Sequence, residues 1–298
     1  LTKSAWKEVA SRTFASIGKD RVMLVAAGVT FYLLLALVPS LTAFVAIYGL
    51  AADQATVVEH LNLLAGVVPA GGLDIIEDQL QRLVTEGATA LSWTLAVSLG
   101  IALWSASAGV KALFEAMNIA YHEEEDRGFV KLSALGLVFT FAIAVGAALA
   151  LGAVIVVPIA LALLPFADGI GWLVQIVSYV ILLAVLLTGV AALYRWGPAR
   201  KEAKWRWVTP GAAMAIILII GASILFSWYV ANFGNYNATY GSLGALIGFL
   251  TWIWISVALL ILGAILNSQV EHQTAQDTTT GPDKPLGERG AHVADTIA

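Results

Sequence analysis

The chain has 298 residues, 59% of them hydrophobic and only 12% charged, with a mean hydropathy of +0.85. Soluble domains carry about 25% charged residues, so this composition excludes a water-covered globule and calls for a bilayer around much of the surface. The net charge of −4 says little as a sum, whereas zero cysteines exclude a disulfide framework, a thiolate metal site and a thiol nucleophile.

Residues 1–22 read as a basic interfacial helix. Trp6, Val9, Ala10, Phe14 and Ile17 recur at helical spacing, with Lys7, Ser11 and Arg12 on the other face. Such a helix suits an anionic leaflet; a short cap on a bundle fits equally well. No signal peptide is expected, because the apolar run that follows is too long for one. Residues 23–270 are expected to hold about six spans. Span 1 runs from about Met23 to Leu50, with Pro39 inside it, where the missing N–H invites a kink. The stretch 51–88 places Leu73, Ile76, Leu80 and Leu83 on one face among acidic residues, which reads as a surface helix.

Span 2 covers about Ala88 to Gly109 and continues as helix to Tyr121, before the charged loop His122–Arg127. Span 3 starts near Phe129 and is expected to end near Val157, since its apolar run far exceeds a core of about 30 Å. Span 4 is about Gly171–Tyr194, span 5 Val208–Ala231 and span 6 Gly241–Leu266. Residues 271–298, rich in Thr, Gly, Pro and Asp without an apolar period, are expected to form a disordered tail. The fold class is all-α, a polytopic transmembrane helix bundle with short interfacial amphipathic helices.

Lys and Arg set the orientation. If six spans alternate, 15 of the 16 basic residues fall on one side and only Arg82 on the other. The positive-inside rule then places both termini in the cytoplasm.

Ionisable residues are nearly missing from the spans, which argues against a carboxylate-driven antiporter or a pump for charged substrates. Lys111 and Glu115 come nearest, one turn apart at the cytoplasmic end of span 2. They read as an interfacial i,i+4 pair or as part of a path. The other substrate-path candidates are Thr30, Tyr32, Pro39, Ser105, Ser107 and Asn118. Hydroxyls and amides of this kind mostly bond to a neighbouring helix or back to a carbonyl, and a minority line a cavity. The four histidines lie outside the expected spans, so no Ser–His dyad forms in the bilayer and no catalytic residue is assigned. The run His122–Asp126 reads as a solvated loop rather than a metal site. No metal, cofactor or nucleic-acid partner is expected, and the protein is not expected to be an enzyme.

Gly244-x-x-x-Gly248 and the stripe Ala144, Ala148, Gly152 let helices approach closely, within the chain or in a homo-oligomer. Between spans 5 and 6, Asn235, Tyr236, Asn237 and Tyr240 lie in an uncharged hairpin rich in amides and aromatics. Either an aromatic-belt turn or the outer mouth of a substrate path explains it.

Several motifs carry a resemblance. Ala26-Ala-Gly-Val-Thr-Phe-Tyr32 leads to Leu37-Val-Pro39, and Trp104-Ser-Ala-Ser107 to Ala116-Met-Asn-Ile-Ala-Tyr121. Tyr194-Arg-Trp-Gly-Pro198, Pro210-Gly-Ala212, Tyr236-Asn-Ala-Thr-Tyr-Gly-Ser-Leu-Gly244 and Gly263-Ala-Ile-Leu-Asn267 follow. Over residues 5–290 the chain resembles the YihY/BrkB membrane proteins, once labelled ribonuclease BN. The resemblance implies a bacterial inner-membrane protein of a group without a settled activity, whose ribonuclease label is regarded as a misassignment. Some members have been connected with serum resistance and with export of lipopolysaccharide precursors. Many relatives have Glu where this chain has Ile265, so any role of that carboxylate is absent here. A transporter or flippase of a lipid or amphipathic envelope molecule is the expected function, with membrane lipids as partners. A non-transporting scaffold for envelope assembly is the alternative.

Overall fold

The structure, a computed structural model, describes residues 3–51, 93–151, 167–233 and 243–297. Among these residues the elements are helical: α1 (Lys3–Lys19), α2 (Val22–Ala51), α3 (Trp93–Tyr121), α4 (Phe129–Leu151), α5 (Ala167–Trp196), α6 (Trp205–Phe233), α7 (Leu243–His272) and the short α8 (His292–Asp295). The surface helix expected within 51–88 and the 235–240 hairpin lie outside the described residues.

Four of these helices are long and apolar enough to cross a membrane: α4, α5, α6 and α7. A fifth span results if α1 and the first part of α2 count as one, although they meet at 62°. The second half of α3 carries Lys111, Glu115 and Asn118, which dilute its apolar run. Several helices continue past the expected spans, α5 and α6 at both ends and α7 at its C-terminal end, whereas the described part of α4 ends at Leu151, short of the expected Val157. Thus α7 reaches His272 rather than Leu266, and its last turns carry the charge of Glu271 into the end of the bundle.

Helix α1 buries Val9, Thr13 and Ser16 on one face, and it packs against α7. Arg12 ties the two together, its guanidinium donating to Gln269 Oε1 at 3.0 Å and also to Gln273. Trp6 and Phe14 stay exposed beside Lys3 and Lys7. The chain turns into α2 through Arg21, which adopts φ 51°, a left-handed conformation uncommon outside glycine.

Helices α6 and α7 cross with their backbones in contact. A Cβ on Gly211 would fall inside the contact radius of the Gly263 carbonyl oxygen, and one on Gly263 would lie 2.6 Å from both Gly211 O and Tyr194 Oη. Asn267 seals the crossing: its Oδ1 accepts from Gly211 N at 2.8 Å, and its Nδ2 donates to Val208 O at 2.9 Å. Tyr194, fully buried on α5, donates to Leu260 O at 2.6 Å. Three helices are fixed there by small residues and satisfied polar groups, the usual basis of helix association without a hydrophobic driving force.

The tail is not disordered, contrary to the expectation from its composition. Residues beyond α7 fold back across the loop end of the bundle. Ala203 and Thr279 form an antiparallel bridge, Lys204 N donates to Thr278 O at 2.8 Å, and Lys201 N to Gly290 O at 2.8 Å. The buried Arg289 donates to the carbonyls of Ala275, Gln276, Lys284 and Ala294. Gly281 (φ 104°) and Gly287 (φ 92°) take turns that side-chain-bearing residues resist. Carboxylates and carbonyls thus do here what an apolar period does elsewhere, which a search for hydrophobic periodicity cannot register.

Two aspartates hold this tail. Asp295 accepts from the N–H groups of Gly287, Arg289 and Gly290, and Asp277 from those of Thr279 and Lys284. Burial pushes both carboxyls up, but these N–H donors outweigh it and hold each below the ordinary value. A depressed folded pKa means stabilisation that is complete above the unfolded value and lost as pH falls through the folded one. Protection of the Arg289 and Gly290 amides, measured against the intrinsic exchange rate at each pH, should therefore hold at neutral pH and be lost as pH falls below the ordinary carboxylate range. Protection that persists under full carboxylate protonation would show that these bonds do not hold the tail.

Candidate functional site

Between α2 and α3 lies a cleft of about 450 Å³, lined by Val25, Gly28, Val29 and Tyr32 from α2 and by Ala108, Lys111, Ala112, Glu115 and Ala116 from α3. Small residues make it. Gly28 has no atom within 4 Å of a would-be Cβ, while Gly109 on the same helix pair is in tight contact with Leu33 and Ala36. The two helices therefore touch at Gly109 and part around Gly28. The wall is apolar except for the Tyr32 hydroxyl, the Lys111 ammonium and the Glu115 carboxylate. Tyr32 and Glu115 are exposed, so the cleft opens on the flank of the bundle.

Lys111 and Glu115 do not pair with each other among the described residues. The Lys111 ammonium instead lies 5.0 Å from the centre of the Trp104 ring, and its stem runs along Gly136 of α4. A cation over an aromatic face is attracted by the ring quadrupole and keeps its N–H donors for other partners. The Lys111 ammonium is thus positioned without being cancelled by Glu115.

The second polar assembly occupies the loop end of the bundle. Arg200 and Glu271 form an ion pair at 2.7 Å with side chains only 1% and 0% exposed. Thr278 adds a hydrogen bond to the same carboxylate oxygen at 2.8 Å, and Arg200 lies over the Tyr121 ring at 4.8 Å. Burial opposes the Arg200 charge, but Glu271 and its neighbours outweigh it and hold the guanidinium above its ordinary value. Asn118 Nδ2 donates to Glu125 at 3.0 Å and its Oδ1 accepts from Ala199 N at 2.7 Å. Arg127 donates to Gly197 O at 2.8 Å and grips Glu125. Burial raises the Glu125 carboxyl, yet Arg127 and Asn118 together bring it below the ordinary range. Glu123 goes the other way: burial raises it, only partly offset by the N–H of His292. One carboxylate network therefore joins α3, the 197–204 loop, α7 and the tail.

The sequence candidates divide accordingly. Tyr32 and Lys111 line the cleft, joined by Glu115. Thr30 is buried and bonds back to Ala26 O at 2.7 Å, and Ser107 to Trp104 O at 2.6 Å, so neither is offered to a ligand. Ser105 and Pro39 are half-buried outside the cleft lining. Asn118 belongs to the loop-end network rather than to a path. Asn235, Tyr236, Asn237 and Tyr240 lie outside the described residues. His122 and His292 meet edge to face at 6.0 Å, and among the described residues no cluster of His, Asp and Glu is arranged to hold a metal.

Arg200, Glu271 and Thr278 escaped the sequence reading. Their only signal was position: Glu271 follows Asn267 by one helical turn, and Arg200 sits just after Gly197-Pro198. Gly211, Gly263, Tyr194 and Asn267, by contrast, belong to the motifs that carried the resemblance, and they converge in space.

A family model described as virulence factor BrkB matches residues 13–287. The ribonuclease-like protein YfkH of Bacillus subtilis (strain 168) is 31% identical over 226 residues, covering 70% of this chain and 76% of that protein. A UPF0761 membrane protein of Idiomarina loihiensis is 26% identical over 219 residues, 72% of each chain. Another, of Verminephrobacter eiseniae, is 24% identical over 275 residues, 90% of this chain and 63% of that longer protein. No solved structure matches. With its apolar helices and a match that takes in α2 to the tail, the chain is an integral membrane protein and belongs to the BrkB family.

Proposed function

We propose that the protein sits in the bacterial inner membrane with both termini cytoplasmic and moves a lipid or amphipathic envelope molecule along the α2–α3 cleft. The cleft carries this reading. Its size lies within the usual range for ligand sites, its wall suits acyl chains, and its few polar groups sit where a headgroup needs them. Its flank opening lets a lipid enter sideways without crossing a polar barrier. No part of the site has the nucleophile–base geometry of a hydrolase, and the proposed activity is not enzymatic.

Filling the cleft tests it. Gly28→Leu adds bulk where a Cβ meets nothing, so the fold should tolerate it. Movement of a fluorescent phospholipid between leaflets of proteoliposomes should fall about tenfold or more, the effect of losing ~1.4 kcal/mol of binding. A folded variant that moves lipid at the wild-type rate removes the cleft from the path.

The orientation is tested by single cysteines on this cysteine-free background. Cysteine at Thr85 should react with an impermeant maleimide in intact cells. Cysteine at the exposed Glu288 should react only after permeabilisation. Ala203 is a poor reporter of the same side, because it is 2% exposed. Labelling at Glu288 from outside would invert the orientation.

A scaffold that works as a homo-oligomer is the second reading. Gly248 on α7 has open space beside it and Ala148 on α4 is exposed, so part of each small-residue face is uncovered within the chain.

A further inference from the structure

We infer that the α2–α3 cleft recognises a zwitterionic aminophospholipid headgroup, with Lys111 on the phosphate and Glu115 on the ammonium. The inference rests on reading the cleft as a lipid site and adds which lipid it takes.

The order of the groups along the helix carries the argument. Helix α3 ends at Tyr121, and the next residues are the charged loop His122–Arg127, so that end faces water. Moving away from it, Glu115 comes first and Lys111 one turn deeper, roughly 6 Å along the axis at 1.5 Å per residue. Ala108 on α3 lies deeper still. A lipid of the same leaflet presents its groups in that sequence. Its terminal ammonium is nearest water, its phosphate lies below, and its glycerol and acyl chains point inward. An ethanolamine phosphate meets carboxylate, then ammonium, then apolar wall.

The charges are also available. Lys111 is steadied over Trp104 and makes no ion pair, and Glu115 is exposed and makes none among the described residues. Had they paired, the cleft would present a neutralised surface and no preference. Separated as they are, they bind both halves of a zwitterion and leave one charge opposed by any headgroup of a single sign. An ammonium with N–H donors forms charge-assisted hydrogen bonds to Glu115, which a trimethylammonium cannot. An anionic glycerol headgroup gains Lys111 but sets its negative charge near Glu115.

The test is binding by the purified full chain in detergent. Phosphatidylethanolamine, phosphatidylglycerol and phosphatidylcholine with identical acyl chains compete in native mass spectrometry, with soluble phosphoethanolamine as a fourth probe. Wild type should hold phosphatidylethanolamine about tenfold more tightly than the other two lipids, and the soluble probe far more weakly. Glu115→Gln should erase the margin over phosphatidylglycerol, Glu115→Lys should reverse it, and Lys111→Ala should weaken all three lipids. Equal binding of the three lipids to wild type, or a margin that survives Glu115→Gln, overturns the assignment. Equal binding of soluble phosphoethanolamine overturns the lipid as the ligand. Because no transport is measured, a retained preference without lipid movement defeats the transport reading alone. Lipid movement without a preference defeats this one alone.

Discussion

Alanine at Gly211 should abolish accumulation of folded protein. The added methyl would have to occupy the space of the Gly263 carbonyl oxygen and come within 2.6 Å of Asn267 Cγ, where both neighbours are held by helices. Overpacking a well-packed site costs about 1–3 kcal/mol when the surroundings can move. Here the movement that relieves the clash also pulls Gly211 N and Val208 O away from Asn267. Each buried group left without a partner adds roughly 1–3 kcal/mol. The sum is a large part of the 5–15 kcal/mol that stabilises an ordinary domain. Gly248→Ala is the control, since nothing lies near its Cβ, and it should change stability by less than about 0.5 kcal/mol. Thermal unfolding in detergent, followed by tryptophan fluorescence, separates the two. A Gly211→Ala protein that melts like wild type would mean that the helices are not in contact as described.

The contrast between these glycines shows what the sequence could and could not say. Gly244-x-x-x-Gly248 has the spacing of a close-packing motif, yet Gly248 faces open space. Gly211 opens a small-residue pair with Ala215 that lacks a second glycine, and among the glycines of the described residues Gly211 and Gly263 meet each other's backbone most closely across two helices. Spacing reports what one helix permits; which neighbour arrives is decided by tertiary structure. Apolar runs, on the other hand, reveal helices reliably, because a bilayer core demands internal backbone bonding over a fixed length. Among the described residues each of the six expected spans overlaps a helix, and four of those helices are long and apolar enough to cross a membrane; ends shift outward in α5, α6 and α7 where the helix continues beyond the apolar stretch.

The tail marks the opposite limit. Its order rests on Arg289 donating to four carbonyls and on two aspartates collecting N–H groups, partners separated by irregular intervals. No period in the sequence announces that. The cleft was half legible. Lys111 and Glu115 stood out as charges near a span, and Tyr32 as a polar residue within one. That they share a cavity depends on Gly28 and Gly109 spacing α2 from α3, and that they do not pair depends on Trp104. Both are facts about neighbours. The hydroxyls of Thr30 and Ser107 followed the commoner course and bonded to their own helix.

The pair of Arg200 and Glu271 gives the second large effect. Glu271→Gln or Arg200→Ala leaves one buried partner without its counter-ion, a loss of about 3–5 kcal/mol. The pair itself is a poor source of net stability. Among the described residues Arg200 Nη1 and Glu271 Oε1 have no protein partner, so the two charges recover only part of what their removal from water costs. Replacing both by apolar residues should then restore most of the loss. The carboxylate also holds the Thr278 hydroxyl, which would be left buried and unpaired, so the compensated variant is Arg200→Met, Glu271→Leu and Thr278→Val together. It should melt within about 1 kcal/mol of wild type while each single variant melts far below it. Tail order tells whether the charges matter beyond stability. If the triple variant keeps the slow exchange of the Arg289 and Gly290 amides, the backbone bonds to the 197–204 loop hold the tail by themselves. If those amides exchange freely while the helices remain folded, the ion pair is what latches the tail to α7. Single variants as stable as wild type would mean that water reaches the pair, and the burial assigned to it would be wrong.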